Sequence, residues 1–517
     1  MTMTKAMAIL VGGGSGDPQL ITVAGASWLA RAEVVVYDRL VPLALLDLAP
    51  ASAQRIYVGK SADHHAMTQE QINQLLVDLV RDGKLVVRLK GGDPFIFGRG
   101  SEEADALRQA GLAFRVVPGV TAGMAGGAYA GIPLTDRRYA SCVALVTGHE
   151  DPSKDETSLD WAALAGIDTL VFYMGVGNLG MIAQRLMAAG READTPAAVI
   201  AKATTPHQKV LTATLGTIAQ EARLAAIEPP AITIVGDVIR LRDDIAWFDR
   251  LPLFGQTVLV TRTRKQASVL SAALAEQGAE VIECPTIEIL PADDYAPADE
   301  ALADLRTFEM LVLTSPNGVE HLFARLDAME LDSRALAGVS VAAIGPATRD
   351  ALAVRGVRAD VVPEAYTTES LGKALLRALG DNARGAKVLL ARADIATEPL
   401  AAALRHAGVD VTEVTLYKTV CPDSLPQSAL DALAQGRVSW ITFTSSSTAD
   451  NFLDLLHKHR TAGTAVDLAQ ARLASIGPVT TTTLRGHHLH VHVEAKPHTI
   501  EGLVDAMVNA RETDGTD

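Results

Sequence analysis

VLVTRTRKQASVLSAALAEQGAEVIECPTIEI (258–289) and VLLARADIATEPLAAALRHAGVDVTEVTLYKT (388–419) decide how the second half of this chain is built. Each opens on a short apolar run, passes through an Ala- and Leu-rich helical stretch and closes on a second Val-rich run. That is the order of an α/β unit. Three further blocks recur downstream. LVLTSPNGVEHLFARL (311–326) matches ITFTSSSTADNFLDLL (441–456), AAIGPATRDAL (342–352) matches ASIGPVTTTTL (474–484), and TTESLGKAL (367–375) matches TIEGLVDAM (499–507). All four keep their order and shift by 130 to 132 positions. The second half therefore reads as two copies of one small α/β unit, with a ligand site expected between the copies. The closing RETDGTD reads as a loose tail.

Upstream, the same alternation of strand and helix continues. Strands are predicted in MAILVGGG (7–14), EVVVYDRL (33–40), KLVVRLKG (84–91), CVALVTGH (142–149), TLVFYMGV (169–176) and AITIVGDV (231–238), giving an α/β chain with largely parallel sheets. At RDDIAWFDRLPLFGQ (242–256) the pattern breaks at a charged, Pro- and Gly-bearing stretch before a fresh strand. The expected domains are 1–250 and 251–517, in line with a length of 517 residues, more than one core usually organises.

Apolar residues make up 48% and charged residues 21%, the balance of a globular chain, with only 4% aromatics. A net charge of −15 argues against a nucleic-acid partner, which needs a basic footprint. No apolar run reaches membrane-spanning length, and the start lacks the pattern of a secretory signal. Cys142, Cys284 and Cys421 match no metal spacing and read as buried thiols of a cytoplasmic protein.

VGGGSGDPQLIT (11–22) lies between a strand and a helix, and its glycines let backbone approach a ligand. It misses the dinucleotide fingerprint, because Asp17 stands at the third glycine. Gly175-x-Gly177-x-x-Gly180 fits the spacing, but the next strand ends on Lys202 instead of an acid. The order VGGGSGDPQLIT, VVVYDRLV (34–41), YVGK (57–60), RLKGGDPFIFGRG (88–100), PGVTAG (118–123), GIPLTDRR (131–138), VTGH (146–149) and FYMG (172–175) instead resembles the tetrapyrrole methylases, specifically the uroporphyrinogen-III C-methyltransferases.

The resemblance implies a tetrapyrrole-methylase fold of two α/β subdomains. It also implies S-adenosylmethionine as cofactor, with S-adenosylhomocysteine as its product, and a homodimer formed through this domain. Asp38 would be the proton acceptor and Lys60 the proton donor. The cofactor would be held by Ser15, Gly91, Gly92, Asp93, Ile96, Thr121, Ala122, Met174 and Ala203. Ser15, Ala203 and Asp136 depart from the family's usual proline, glycine and histidine. His64, His65, Arg39, Arg137 and Arg138 are further candidates for binding substrate carboxylates.

The second half is similar to the uroporphyrinogen-III synthases, two α/β lobes that close hydroxymethylbilane while inverting its last ring. TSPNGVE, IGPAT, their repeats and LYKT (416–419) carry this resemblance. Ser315, Asn317, Ser445, Ser447 and Thr480 sit at hydroxyl-rich strand ends suited to a carboxylate-bearing tetrapyrrole, although the same residue types cap helices. Tyr417 takes the family's tyrosine position and would protonate the departing hydroxyl. The two activities would act in sequence, with double methylation giving precorrin-2 on the way to sirohaem or cobalamin. The alternative is a methylase for another corrin precursor joined to a non-catalytic tetrapyrrole-binding module. No resident metal is predicted, although GHHLHVHV (486–493) sets His488, His490 and His492 on one face if it is a strand.

Overall fold

The computed structural model describes residues 6–59, 67–148, 159–262, 264–394, 399–461, 468 and 470–514. The chain forms two compact units. One comprises 1–258 with 272–281 and 508–517, and the other 259–271 with 282–507.

The first unit carries two five-stranded sheets. β1 (Met7–Gly12), β2 (Val34–Tyr37), β3 (Gln54–Tyr57), β4 (Leu85–Lys90) and β5 (Phe114–Val117) order as β3-β2-β4-β1-β5, all parallel. Both faces are covered, which is why the central strands β1, β2 and β4 are mostly apolar and buried. Ile9, Val11, Val35 and Val87 pack with Leu29 and Leu45 on one side, and Ala8, Val34 and Val86 with Leu76 and Leu107 on the other.

The second sheet corrects the expectation of parallel strands. β6 (Val143–Thr147), β7 (Thr169–Tyr173), β8 (Pro196–Ala201), β9 (Lys209–Thr214) and β10 (Ala231–Val235) order as β6-β7-β10-β8-β9. Only β6 and β7 run parallel. The segment joining β8 to β9 is too short for the crossover that parallel neighbours need, so they pair as a hairpin.

Residues 242–254 are not a free tether. Arg242 donates to Asp249 and to the Ala130 carbonyl, Trp247 Nε1 donates to Ala128 O at 3.0 Å, and the Phe248 ring meets Tyr129 at 4.8 Å.

In the second half of the chain the duplication takes an unexpected form. One sheet is β12-β11-β18-β19-β20, from β11 (Thr257–Val260), β12 (Glu280–Glu283), β18 (Val438–Phe443), β19 (Arg472–Ser475) and β20 (Val493–Glu494). The other is β13-β17-β16-β14-β15, from β13 (Glu288–Pro291), β14 (Met310–Leu313), β15 (Ser340–Ala343), β16 (Lys387–Ala393) and β17 (Asp410–Val420). Each lobe therefore takes the opening βαβ of one copy and the remainder of the other. A sequence repeat is not a lobe. Matched block by block, both sheets follow the order 2-1-3-4 of flavodoxin-like folds, and the second lobe is a circular permutation of the first.

Two smaller expectations also change. Cys284 is buried, and its thiol is pushed up to about 12 by that burial, but Cys142 and Cys421 are exposed. GHHLHVHV is a turn after the helix Pro478–Gly486, with His488 left-handed and strand only at Val493–Glu494. His490 and His492 lie edge to face at 4.6 Å. Among the described residues no group of three or more His, Cys, Asp or Glu is arranged to hold a metal.

Candidate functional site

The first candidate site forms where three loops leave the C-terminal ends of β1, β4 and β5. Gly92 N donates to Gly14 O at 2.6 Å and Gly14 N to Gly92 O at 3.2 Å, so two glycine loops form a short antiparallel bridge. The third loop is pressed against them. A Cβ on Gly119 would lie 2.2 Å from Gly92 O, and one on Gly12 would lie 2.6 Å from Gly119 Cα. Asp93 fastens the assembly, accepting from Gly119 N at 2.9 Å through Oδ2 and from Phe95 N at 2.8 Å through Oδ1. Asp93, implied by the resemblance to hold the cofactor, uses its carboxylate in this fold to hold the cradle shut.

Ile96, Ala122 and Ala203, far apart in sequence, pack together against the cluster that contains Tyr173 and Ile232. Thr121 Oγ1 meets Tyr173 Oη at 2.9 Å, and Gly123 N donates to the same oxygen at 2.8 Å. Burial raises the Tyr173 hydroxyl above the ordinary tyrosine value, partly offset by these two bonds. Met174 is left-handed at φ 57° and exposed, beside that tyrosine. The Ser15 carbonyl accepts from Thr204 Oγ1, whose oxygen also accepts from Asp17 N at 3.0 Å. The fold thus gathers the proposed cofactor residues into two groups, the glycine cradle and the apolar wall.

Asp38 follows β2, whose pairing of Val36 with Arg88 brings Asp38 within reach of that arginine. Arg88 Nη2 donates to Asp38 Oδ2 at 3.2 Å, and Leu40 N donates to Oδ1 at the same distance. Arg88 itself is buried and pairs with Glu103 at 3.0 Å, as does Lys90 at 2.8 Å. Burial pushes the Lys90 ammonium below the ordinary lysine value, Arg88 adds to the fall, and Glu103 opposes it. Lys60, His64 and His65 lie outside the described residues. Arg39 and Arg137 are exposed, whereas Arg138 is paired with Asp136 at 3.0 Å.

The sequence motifs did not single out Tyr173, Thr204, Arg88, Lys90 or Glu103. One signal was available. Arg88 and Lys90 are two cations spaced i, i+2 in a strand whose neighbours are all apolar, which puts both on one buried face.

The second candidate site lies at the strand ends beside the point where each lobe's strand order reverses, the usual ligand position in such sheets. Ser315 follows β14 and Ser445 follows β18, its counterpart. Ser315 Oγ accepts from Gly318 N at 2.9 Å, and Ser445 Oγ from Thr448 N at 3.2 Å, so both cap helices. The Ser315 hydroxyl also meets Tyr417 Oη, at 2.9 Å, whereas the further hydroxyl neighbours of Ser445 lie in its own helix. Tyr417 is 6% exposed and lies parallel to the His321 ring at 5.0 Å. Burial raises its hydroxyl above the ordinary value, and the Ser315 bond works the other way. Ser447 Oγ sits 3.0 Å from Ser445 Oγ, while Asn317 stands half-buried at the helix start. Thr480 is 4% exposed and its counterpart Thr348 is 2% exposed. Both copies bury this threonine, so packing accounts for it.

The two halves match two family models. Residues 7–219 match the tetrapyrrole (corrin/porphyrin) methylases and residues 268–505 match uroporphyrinogen-III synthase HemD. Over 98% of its length the chain is 36% identical to the porphyrin biosynthesis protein HemD of Ruminiclostridium josui, of which it covers 98%. The chain belongs to this family.

Its first half is a tetrapyrrole methylase and its second a uroporphyrinogen-III synthase domain. The methylase half is 51% identical to the S-adenosyl-L-methionine-dependent uroporphyrinogen III methyltransferase of Methanosarcina barkeri, over 45% of this chain and 92% of that protein. It is 52% identical to the sirohaem synthase of Stutzerimonas stutzeri over 46% of this chain, matching only 51% of that protein's length.

Proposed function

We propose that the synthase half closes hydroxymethylbilane to uroporphyrinogen III and that the methylase half then methylates this product twice, giving precorrin-2. The observation that supports this most is the joining, along one chain, of a complete methylase pattern and a complete synthase pattern, in the order of a relative matched end to end. S-adenosylmethionine supplies the methyl group. The glycine cradle around Gly12, Gly92 and Gly119 and the wall of Ile96, Ala122 and Ala203 are the groups that would hold it. Glycines at these turns let a ligand come close to the backbone with no side chains in its way.

Methyl transfer to a ring carbon that already carries a side chain releases the demethylated cofactor and makes that carbon quaternary, so the positive charge left on the macrocycle is relieved by loss of a proton from another of its atoms. Asp38 takes that proton, its carboxylate oriented by the Arg88 guanidinium. Lys60 is the proton donor. In the synthase half, Tyr417 gives its proton to the departing hydroxyl, and Ser315 orients it. Ser445, Ser447 and Asn317 bind substrate carboxylates. The domains meet near residue 250, the methylase half pairs as a homodimer, and the enzyme works in the cytoplasm. No helix among the described residues is long and apolar enough to cross a membrane.

The test follows hydroxymethylbilane through the full chain. Without S-adenosylmethionine the product should stop at uroporphyrinogen III, and with it a dimethylated product should accumulate. Spontaneous closure to the uninverted isomer alone would overturn the synthase reading. Uroporphyrinogen III left unmethylated in the presence of cofactor would overturn the methylase reading.

A further inference from the structure

Glu103 is fully buried in the helix Gly100–Gln109, with none of its surface exposed. Its Oε1 accepts from Arg88 Nε at 3.0 Å, from Lys90 Nζ at 2.8 Å and from Gln69 Nε2 at 3.4 Å. Its Oε2 is buried and has no hydrogen-bond partner among the described residues. The guanidinium of Arg88 is used on every side. Nε faces Glu103, Nη1 donates to Leu89 O at 3.0 Å, and Nη2 reaches Asp38.

As a device for stability this arrangement is poor. A sheet position flanked by Val and Leu is filled as well or better by an apolar side chain, because buried ion pairs seldom repay their desolvation. A carboxylate oxygen left without a partner adds a further cost. The arrangement leads somewhere else. It runs from the helix through β4 to the end of β2, where the side chain of Asp38 is 29% exposed. Arg88 and Lys90 balance Glu103 and Asp38, so the four groups sum to no net charge.

We propose that Glu103 is a positioning residue for methyl transfer. By gripping Arg88 and Lys90 it fixes the guanidinium that orients the Asp38 carboxylate. This rests on Asp38 being the proton acceptor. Arg88 rotated out of place would leave Asp38 free to swing, and a misplacement of about 1 Å in a reacting group costs up to about 10²-fold in rate.

The experiment is a double-substitution cycle on the full-length chain with Glu103→Gln, Asp38→Asn and the two combined. It reads kcat and KM for methyl transfer, S-adenosylhomocysteine affinity by calorimetry, and synthase activity as an internal control. In the otherwise unaltered chain, Glu103→Gln should cut kcat by about 10- to 100-fold while KM for the cofactor holds. In the Asp38→Asn chain the same change should cost less than about twofold, because the group it orients is gone. An equal loss in both backgrounds, or loss of S-adenosylhomocysteine binding in step with rate, would overturn the proposal and leave Glu103 a structural residue. Near-normal turnover by Asp38→Asn alone would instead overturn the reading of Asp38. If Glu103→Gln does not fold, Lys90→Met with Glu103→Gln removes both charges of the buried pair, and the same cycle is run on that chain with the same criteria.

Discussion

In the methylase half the candidate site is made by backbone that comes together, and in the synthase half by side chains at strand ends. Gly12 and Gly119 are pressed so tightly against the neighbouring loops that neither has room for a Cβ, Gly92 turns through a left-handed φ of 67°, and buried charges reach from Glu103 to Asp38. Ser315 and Ser445 do ordinary capping at equivalent places in two lobes, and one hydroxyl pair, Ser315 with Tyr417, distinguishes the lobes. A backbone cradle tolerates few sequences, because each residue is fixed by what its neighbours leave room for. A capping position tolerates Ser, Thr, Asn or Asp almost equally. That is why the first half announces itself by a thirteen-residue string, RLKGGDPFIFGRG, and the second by a recurring pattern.

The sharpest way to break this contrast is Asp38→Asn. Loss of a general base typically costs about 10²–10⁴-fold, and methyl transfer should fall by that much while S-adenosylhomocysteine binding and bilane closure persist. Turnover within a fewfold of the unaltered chain would reduce Asp38 to a turn residue that Asn replaces.

Next in size is Gly119→Ala. Its Cβ would meet Gly92 O at 2.2 Å, so the loops must part. Overpacking of this type costs about 1–3 kcal/mol, and S-adenosylhomocysteine affinity should drop by about tenfold or more in calorimetry. Unchanged affinity would show that the cradle is not where the cofactor sits.

In the synthase half the expected effects are smaller and should be unequal. Ser445→Ala should lose a cap worth about 1 kcal/mol, seen as a modest fall in melting temperature. Ser315→Ala should lose the same cap and also slow bilane closure, since it frees Tyr417. Equal rates for the two variants would make the lobes functionally alike and dismiss the Ser315–Tyr417 pair.

Tyr417 adds a pH test. A proton donor works below its folded-state pKa, and burial raises that of Tyr417, so the closure rate should hold beyond the ordinary tyrosine value of about 10 before falling. Tyr417→Phe should remove that alkaline limb. A rate already falling at neutral pH would point to another donor. The smallest effect belongs to Thr480→Val, which fills the same buried space and should leave the closure rate within about twofold of normal.

The α/β class, the two halves, the duplication and the glycine loops were legible in the sequence, since each is written in contiguous residues: apolar runs, turn glycines, blocks repeated in order. Strand direction in the second methylase sheet was not, because β7 and β10 look alike whether paired parallel or antiparallel, and connection lengths decide it. The exchange between lobes was equally hidden. A repeat specifies which segments are alike, while only packing decides which of them share a core. The charges behind Asp38 show the same division. Arg88 and Lys90 could be read as two cations on one strand face, but Glu103 looked like any acid in the first turn of a helix. What makes it the centre of a buried network is that the helix lies over β4, a contact between residues distant in sequence that no local pattern encodes.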